Sequence, residues 1–321
     1  MNAALEAAAA FVHGTLQPTA QLEWPLLSQR CGARVIVKHE NHLPTGSFKV
    51  RGGLVYMHEL RECEPAVRGV ISATRGNHGQ SVAFAARRLG LSVTIVVPHG
   101  NSVDKNAAMR AQGARLVEHG RDFQAALEHA QALAVREGLH LVPNFHPALL
   151  RGVATCALEL FRAEPALDLL YVPIGLGSGV CAALDARDAL GLRTRIVGVV
   201  AERAPTYALS FAAGEAVATE NADTLADGLA VRVPNAAALA RIGAGVERIV
   251  AVSEAEIRAA IRNYFSDTHN VAEGAAAAAL AACLRERAAV ADKHVGLVLT
   301  GGNIDRALYR EILAEEDPTC A

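Results

Sequence analysis

Short runs of β-branched residues alternate along the chain with segments of helical spacing, and no other feature restricts the fold as much. The runs are Arg34–Lys38, Gly69–Ala73, Ser92–Val97, Leu139–Val142, Leu169–Ile174, Arg195–Val200, Arg248–Val252 and Val295–Thr300. Several are almost continuously apolar, as strands covered on both faces must be. Between them, Gln80–Leu89 and Asp122–Arg136 have helical spacing. In the second, Phe123, Ala126, Leu127, Ala130, Leu133 and Ala134 share one face. Ser253 with Glu256 three residues on has the pattern of a capping box. Strands separated by helices predict an α/β fold of parallel sheets wound with helices.

With 321 residues and 51% hydrophobic composition, the chain exceeds one typical core, so two lobes are expected. The formal net charge is -2 and the charges are well mixed, which excludes a basic stripe for nucleic acid. Met1 to Ala10 reads as a helix and not as a secretory signal. No segment approaches the roughly 20 uninterrupted apolar residues of a membrane helix, and the alanine-rich run Ala275–Leu284 is too short. The expected setting is cytoplasmic, with no membrane partner. Cys31, Cys63, Cys156, Cys181, Cys283 and Cys320 form no CxxC pair and read as reduced thiols. The twelve histidines show no HExxH or paired-ligand spacing, so no metal site is expected.

In wound parallel sheets, ligands sit beyond the carboxyl ends of the strands. Three loops in such places stand out. Pro44-Thr45-Gly46-Ser47-Phe48-Lys49 follows the first run and continues to Arg51-Gly52-Gly53. A lysine held on such a turn can be desolvated and made nucleophilic, although a loop lysine can equally be a solvated charge. Thr74-Arg75-Gly76-Asn77-His78-Gly79 lies between a strand and a helix. It points backbone N–H groups and a helix N-terminus at an anion, or else Asn77 merely caps the helix. Gly175-Leu176-Gly177-Ser178-Gly179 opens another helix and allows close approach to a phosphate. With Glu202 downstream it also mimics a dinucleotide site, but the spacing is GxGxG, not GxGxxG. Thr300-Gly301-Gly302-Asn303 closes the last strand. Together these loops suit a ligand with a phosphate, an aldehyde and a ring.

These motifs, in this order, resemble the serine/threonine dehydratases among the fold-type II (tryptophan-synthase-β-like) pyridoxal-phosphate enzymes. Ser47-Phe48-Lys49-x-Arg51-Gly52 is similar to the family's cofactor-lysine motif, and Gly76-Asn77-His78-Gly79-Gln80 to its asparagine loop. Gly175 to Gly179 stands where the family has its phosphate loop, and Thr300 to Asn303 where it has Ser-Gly-Gly-Asn. Ala226-Asp227-Gly228 and Glu273-Gly274-Ala275 also fall at family segments, so the likeness runs from about Pro18 to Asn303.

The resemblance implies pyridoxal 5'-phosphate as cofactor, carried by Lys49, which then works as acid and base at the substrate α-carbon. It implies packing of Phe48 on the pyridine ring and a hydrogen bond from Asn77 to the ring oxygen. Gly175, Leu176, Gly177, Ser178 and Gly179 would cradle the phosphate, and Thr300 would face the ring nitrogen. Ser47, Thr74, Arg75, Gly76, Asn77 and His78 would contact the amino acid substrate. It also implies a two-lobed fold, with residues 1–52 and 145–321 forming the large cofactor domain and 53–144 a smaller inserted domain, in a homo-oligomer.

A hydroxyl at Thr300 cannot force ring protonation as an aspartate would, which favours β-elimination over a long-lived carbanion. The expected reaction is dehydration and deamination of a small β-hydroxy L-amino acid such as threonine or serine to a 2-oxo acid and ammonia. Arg75 replaces the serine that serves racemases on the opposite face, and arginine is a poor proton shuttle. It either pairs with a substrate carboxylate or points to solvent. Ala208 falls where the metal-activated members have an acidic residue, so no divalent cation is expected. The chain after Asn303 is too short for the regulatory domain of the biosynthetic threonine dehydratases. The alternatives are a dehydratase of phenylserine or 3-hydroxyaspartate, a racemase, a dinucleotide-dependent oxidoreductase and a non-catalytic binding protein.

Overall fold

The computed structural model describes residues 3–316, so Cys320 lies outside the described residues. Ten strands form two sheets. They are β1 (Gln21–Glu23), β2 (Arg34–His39), β3 (Gly69–Ala73), β4 (Ser92–Val97), β5 (Arg115–Glu118), β6 (His140–Leu141), β7 (Leu169–Pro173), β8 (Arg195–Ala201), β9 (Arg248–Val252) and β10 (His294–Leu299). The larger sheet has the order β1-β2-β10-β7-β8-β9 and the smaller β5-β4-β3-β6. Every pairing is parallel except that of β1 with β2.

The central strands β2, β10, β7 and β8 of the large sheet are buried on both faces, and their side chains divide with period two. Val35, Val37, Leu169, Tyr171, Val197 and Val199 enter one core, while Ile36, Leu170, Val172 and Ile196 enter the other. The helix Gly274–Arg285 covers the first face and is buried from Gly274 to Cys283. A helix that is apolar all round belongs in the interior, and alanine lets it lie close to the sheet. The helices Pro147–Ala163 and Ser178–Ala189 cover the second face. The small sheet is covered by the helices Lys49–Cys63 and Asn77–Arg88 on one side and by Phe123–Glu137 on the other. The small-sheet core also draws in Ala8, Val12, Leu43, Ala148 and Leu149, from outside residues 53–144.

The eight expected strands all form, with ends shifted by no more than one residue. Two more were not expected. β1 (Gln-Leu-Glu) and β5 (Arg-Leu-Val-Glu) are short, polar edge strands, and half-exposed edges carry little hydrophobic signal. The amino-terminal helix runs Ala3–His13, and the capping box at Ser253 and Glu256 is present. The helix after β3 begins at Asn77, not Gln80, and its N-cap is Gly76 with no side-chain cap. Asn77 therefore does not cap the helix and is free for other work.

A buried ionic cluster anchors the helix that starts at Lys49. Arg51 is fully buried and donates Nε and Nη2 to Glu40 at 2.7 and 2.9 Å. It also donates Nη1 to Glu159 at 2.5 Å and to Thr155 at 3.0 Å. Lys38 reaches Glu159 Oε2 at 2.5 Å. Burial alone would raise the Glu159 carboxyl, but Arg51 and Lys38 outweigh it and hold it down at about 2. Arg51 thus fixes the first turn of the helix whose first residue is Lys49. Removing one partner of such a cluster leaves an uncompensated buried charge, at a cost of about 3–5 kcal/mol.

Candidate active site

The loops after β2, β3, β7 and β10 converge between the two sheets on a pocket of about 130 Å³. Phe48, Lys49, Thr74 to His78, Gly175 to Gly179 and Thr300 all line it. Of the residues that the resemblance assigns to cofactor or substrate, only Ser47 is absent from the lining. It is fully buried and forms a backbone bridge to Gly301.

Lys49 Nζ donates to Ser178 Oγ at 2.6 Å and lies 4.9 Å from the centroid of the Phe48 ring. Desolvation pushes its amine down from 10.5 to about 8, against a smaller upward pull from Glu273. The neutral form that a nucleophile or base needs is therefore far more accessible near physiological pH than for an ordinary lysine, and it dominates above about pH 8. The Phe48 N–H donates to Thr300 O at 3.0 Å, which ties the lysine loop to the end of β10.

Opposite stands the glycine loop. Gly177 has φ 93, and a Cβ there would lie 2.7 Å from the Ala238 Cβ. At Gly175 a Cβ would fall 2.1 Å from the Gly228 carbonyl oxygen. Both positions exclude other side chains and leave an open backbone cradle at the N-terminus of the helix Ser178–Ala189. Tyr207 buttresses it, donating its hydroxyl to Leu176 O at 3.1 Å and accepting from Asn235 N at 3.0 Å.

The loop after β3 is held from within. The Thr74 hydroxyl accepts from the N–H groups of Gly76 at 2.9 Å and Gly79 at 3.3 Å. The N–H groups of Asn77 and His78, in the first turn of the helix Asn77–Arg88, bond to no described residue. Two free donors at a helix N-terminus make an anion site. His78 is buried, and burial followed by the charge of Lys49 lowers its imidazole to about 3, so it stays neutral.

Sequence reasoning missed a triad at the pocket floor. Lys105 Nζ is 2.6 Å from Asp227 Oδ2 and 3.3 Å from Glu273 Oε2. Burial would lower the Lys105 amine, but the two carboxylates raise it and keep it charged. Burial raises the Glu273 carboxyl, against Lys105. Glu273 accepts from Asn77 Nδ2 at 2.6 Å, and Asn77 Oδ1 accepts from Asn303 at 2.8 Å, so the Asn77 amide is clamped on both sides. The signal for Lys105 was available: it follows β4, and the rule about strand ends applies to that loop as well. Glu202 takes no part in this geometry. It pairs with Arg285 at 2.9 Å and does not line the pocket.

Residues 12–301 match the model of a family described as pyridoxal-phosphate dependent enzyme. The chain belongs to this family. It is 35% identical over 289 residues to an L-threonine ammonia-lyase of Thermotoga maritima, a match that covers 90% of this chain and 72% of the relative. An L-threo-3-hydroxyaspartate ammonia-lyase of Saccharomyces cerevisiae is 31% identical over 297 residues, covering 92% and 91%. The fold superposes on threonine deaminase isoform 2 of Solanum lycopersicum with TM-score 0.89 and 29% identity, over 98% of this chain and 93% of that one. These findings make the chain a fold-type II ammonia-lyase of the serine/threonine dehydratase group that uses pyridoxal 5'-phosphate, and they overturn the dinucleotide alternative.

Proposed function

We propose that this enzyme removes water and ammonia from a small β-hydroxy L-amino acid of the threonine and serine class, and that Lys49 both carries the cofactor and moves the α-proton. One observation carries the reading: a desolvated lysine amine, lowered to about 8, faces a glycine cradle in one pocket. The residues fit the cofactor. Gly175 to Gly179 would hold its phosphate, Phe48 would pack against its ring, and the clamped Asn77 amide would meet its ring oxygen. When bound, the cofactor supplies an electron sink for negative charge at the substrate α-carbon.

The chain does the rest. The free N–H groups of Asn77 and His78 bind the α-carboxylate and so aim the α-hydrogen at Lys49. Lys49 takes that proton in its neutral form, and Phe48 keeps water from the amine. Neutral His78 adds no competing charge beside it. Thr300 would offer the cofactor's ring nitrogen only a hydroxyl, which would suit prompt loss of the β-hydroxyl. Ser47 would act by fixing the lysine loop.

Residues 53–144 would form a smaller inserted domain, a division supported by the fall of β3 to β6 within that range. We further propose a cytoplasmic homo-oligomer. Supporting the first half are five described cysteines, all free, and the lack, among the described residues, of a helix able to span a membrane. The test is direct. The cofactor-loaded enzyme should release 2-oxobutanoate from L-threonine and pyruvate from L-serine with one ammonia each, and Lys49→Ala should lose at least about 100-fold in kcat. An unchanged kcat in that variant would remove Lys49 from the mechanism.

A further inference from the structure

Arg75 is the residue of the pocket that the reaction above leaves without a task. Its side chain makes no hydrogen bond or ion pair with any described residue, and its Nε is shut off from solvent. A guanidinium is always charged and has five donors, so leaving it unpartnered in a half-enclosed place is costly unless a ligand completes it. The α-carboxylate does not require it, because the free N–H groups of Asn77 and His78 already supply that site.

The position of Arg75 says what the ligand is. The catalytic pocket opens into a second cavity of about 790 Å³. The two share Arg75, Phe123, Asn144, Leu176, Ala230 and Val231 as lining. The neck is thus mostly apolar with one free cation in its wall. Near the outer end, Arg232 is already paired with Asp122 at 3.0 Å. A substrate that sits against Lys49 and extends past its β-carbon meets Arg75 at this neck. Apolar neighbours strengthen a guanidinium–carboxylate contact there.

We propose that Arg75 is a specificity determinant that takes the distal carboxylate of an acidic β-hydroxy amino acid, of the 3-hydroxyaspartate type. The proposal rests on the β-elimination reading and names the substrate class for it. The holoenzyme should show kcat/KM for L-threo-3-hydroxyaspartate at least tenfold above that for L-threonine. Arg75→Gln should collapse that ratio by tenfold or more, chiefly through KM for the acidic substrate, and Arg75→Lys should retain part of it.

A binding measurement separates the two claims. L-aspartate and L-2-aminobutyrate carry no β-hydroxyl, so their affinities can be read by calorimetry without turnover. L-aspartate should bind tenfold tighter, and only in proteins with Arg75. If neither hydroxy acid is turned over but this difference holds, the reaction is wrong and the subsite stands. If both are turned over and Arg75→Gln leaves the aspartate preference intact, the subsite is wrong and the reaction stands. Equal weakening of both ligands in Arg75→Gln would assign Arg75 to the α-carboxylate and overturn the proposal. If Arg75→Gln does not fold, Arg75→Lys alone decides by whether the preference shrinks.

Discussion

The chain has four lysines, Lys38, Lys49, Lys105 and Lys293, and their settings differ. Lys38 is buried against Glu159 and the Thr19 carbonyl oxygen, and Lys105 is held charged by Asp227 and Glu273. Lys49 meets only the Ser178 hydroxyl, so desolvation wins and its amine falls to about 8. The unfolded amine lies near 10.5, so the native state releases this proton more readily, and the neutral form dominates above pH 8. Covalent uptake of the cofactor needs that form. Its rate, followed by visible absorbance after mixing, should rise about tenfold per pH unit below 8 and level off above it. His78, neutral down to about 3, should add no further step between pH 5 and 9. A plateau reached already at pH 6 would contradict this electrostatic picture.

At the scale of elements, function rests on where strands stop. The loops after β2, β3, β7 and β10 supply Lys49, the first turn of the helix from Asn77, the glycine loop and Thr300 to one pocket. Those four were legible because each joins special residues to a strand end. The contact among Lys105, Asp227 and Glu273 was not, since residues so far apart in the chain leave no spacing to read. β1 and β5 escaped for a different reason: edge strands this short and polar have no periodic signal. The cradle makes its own prediction. Gly177→Ala forces a side chain into the left-handed region, at about 1–2 kcal/mol, and pushes a methyl toward Ala238. Cofactor titration should give an affinity about tenfold weaker for that variant, with the helix Ser178–Ala189 still formed. Unchanged affinity would mean that the loop does not hold the phosphate.

Across the whole molecule, polar contacts tie the helices over the small sheet to the large one. Lys105 and Asp104 begin the helix Val103–Ala111, and they reach Asp227 and Glu273 on one side and the N–H of Arg306 on the other. Asp122, the N-cap of Phe123–Glu137, pairs with Arg232. Lys105 and Glu273 are both buried while Asp227 is partly exposed, so Lys105→Met strands the Glu273 carboxylate in the interior and should cost about 3–5 kcal/mol at pH 7. The Glu273 carboxyl is already raised by burial. A carboxyl with a raised native value destabilises the fold when ionised, and protonation relieves it as pH falls. The gap between variant and wild type in urea unfolding should therefore narrow from pH 7 to pH 5. A Lys105→Met protein as stable as wild type at pH 7 would show that the triad does not hold the sheets together.

The claim on which all else depends is that Lys49 carries the cofactor, and four lysines make it simple to test. The protein is loaded with pyridoxal 5'-phosphate, reduced with borohydride and digested, and the peptides are weighed. The added mass should fall on the peptide that contains Lys49 and be absent from Lys49→Ala. Label on the Lys105 peptide instead, or on none, would contradict the account.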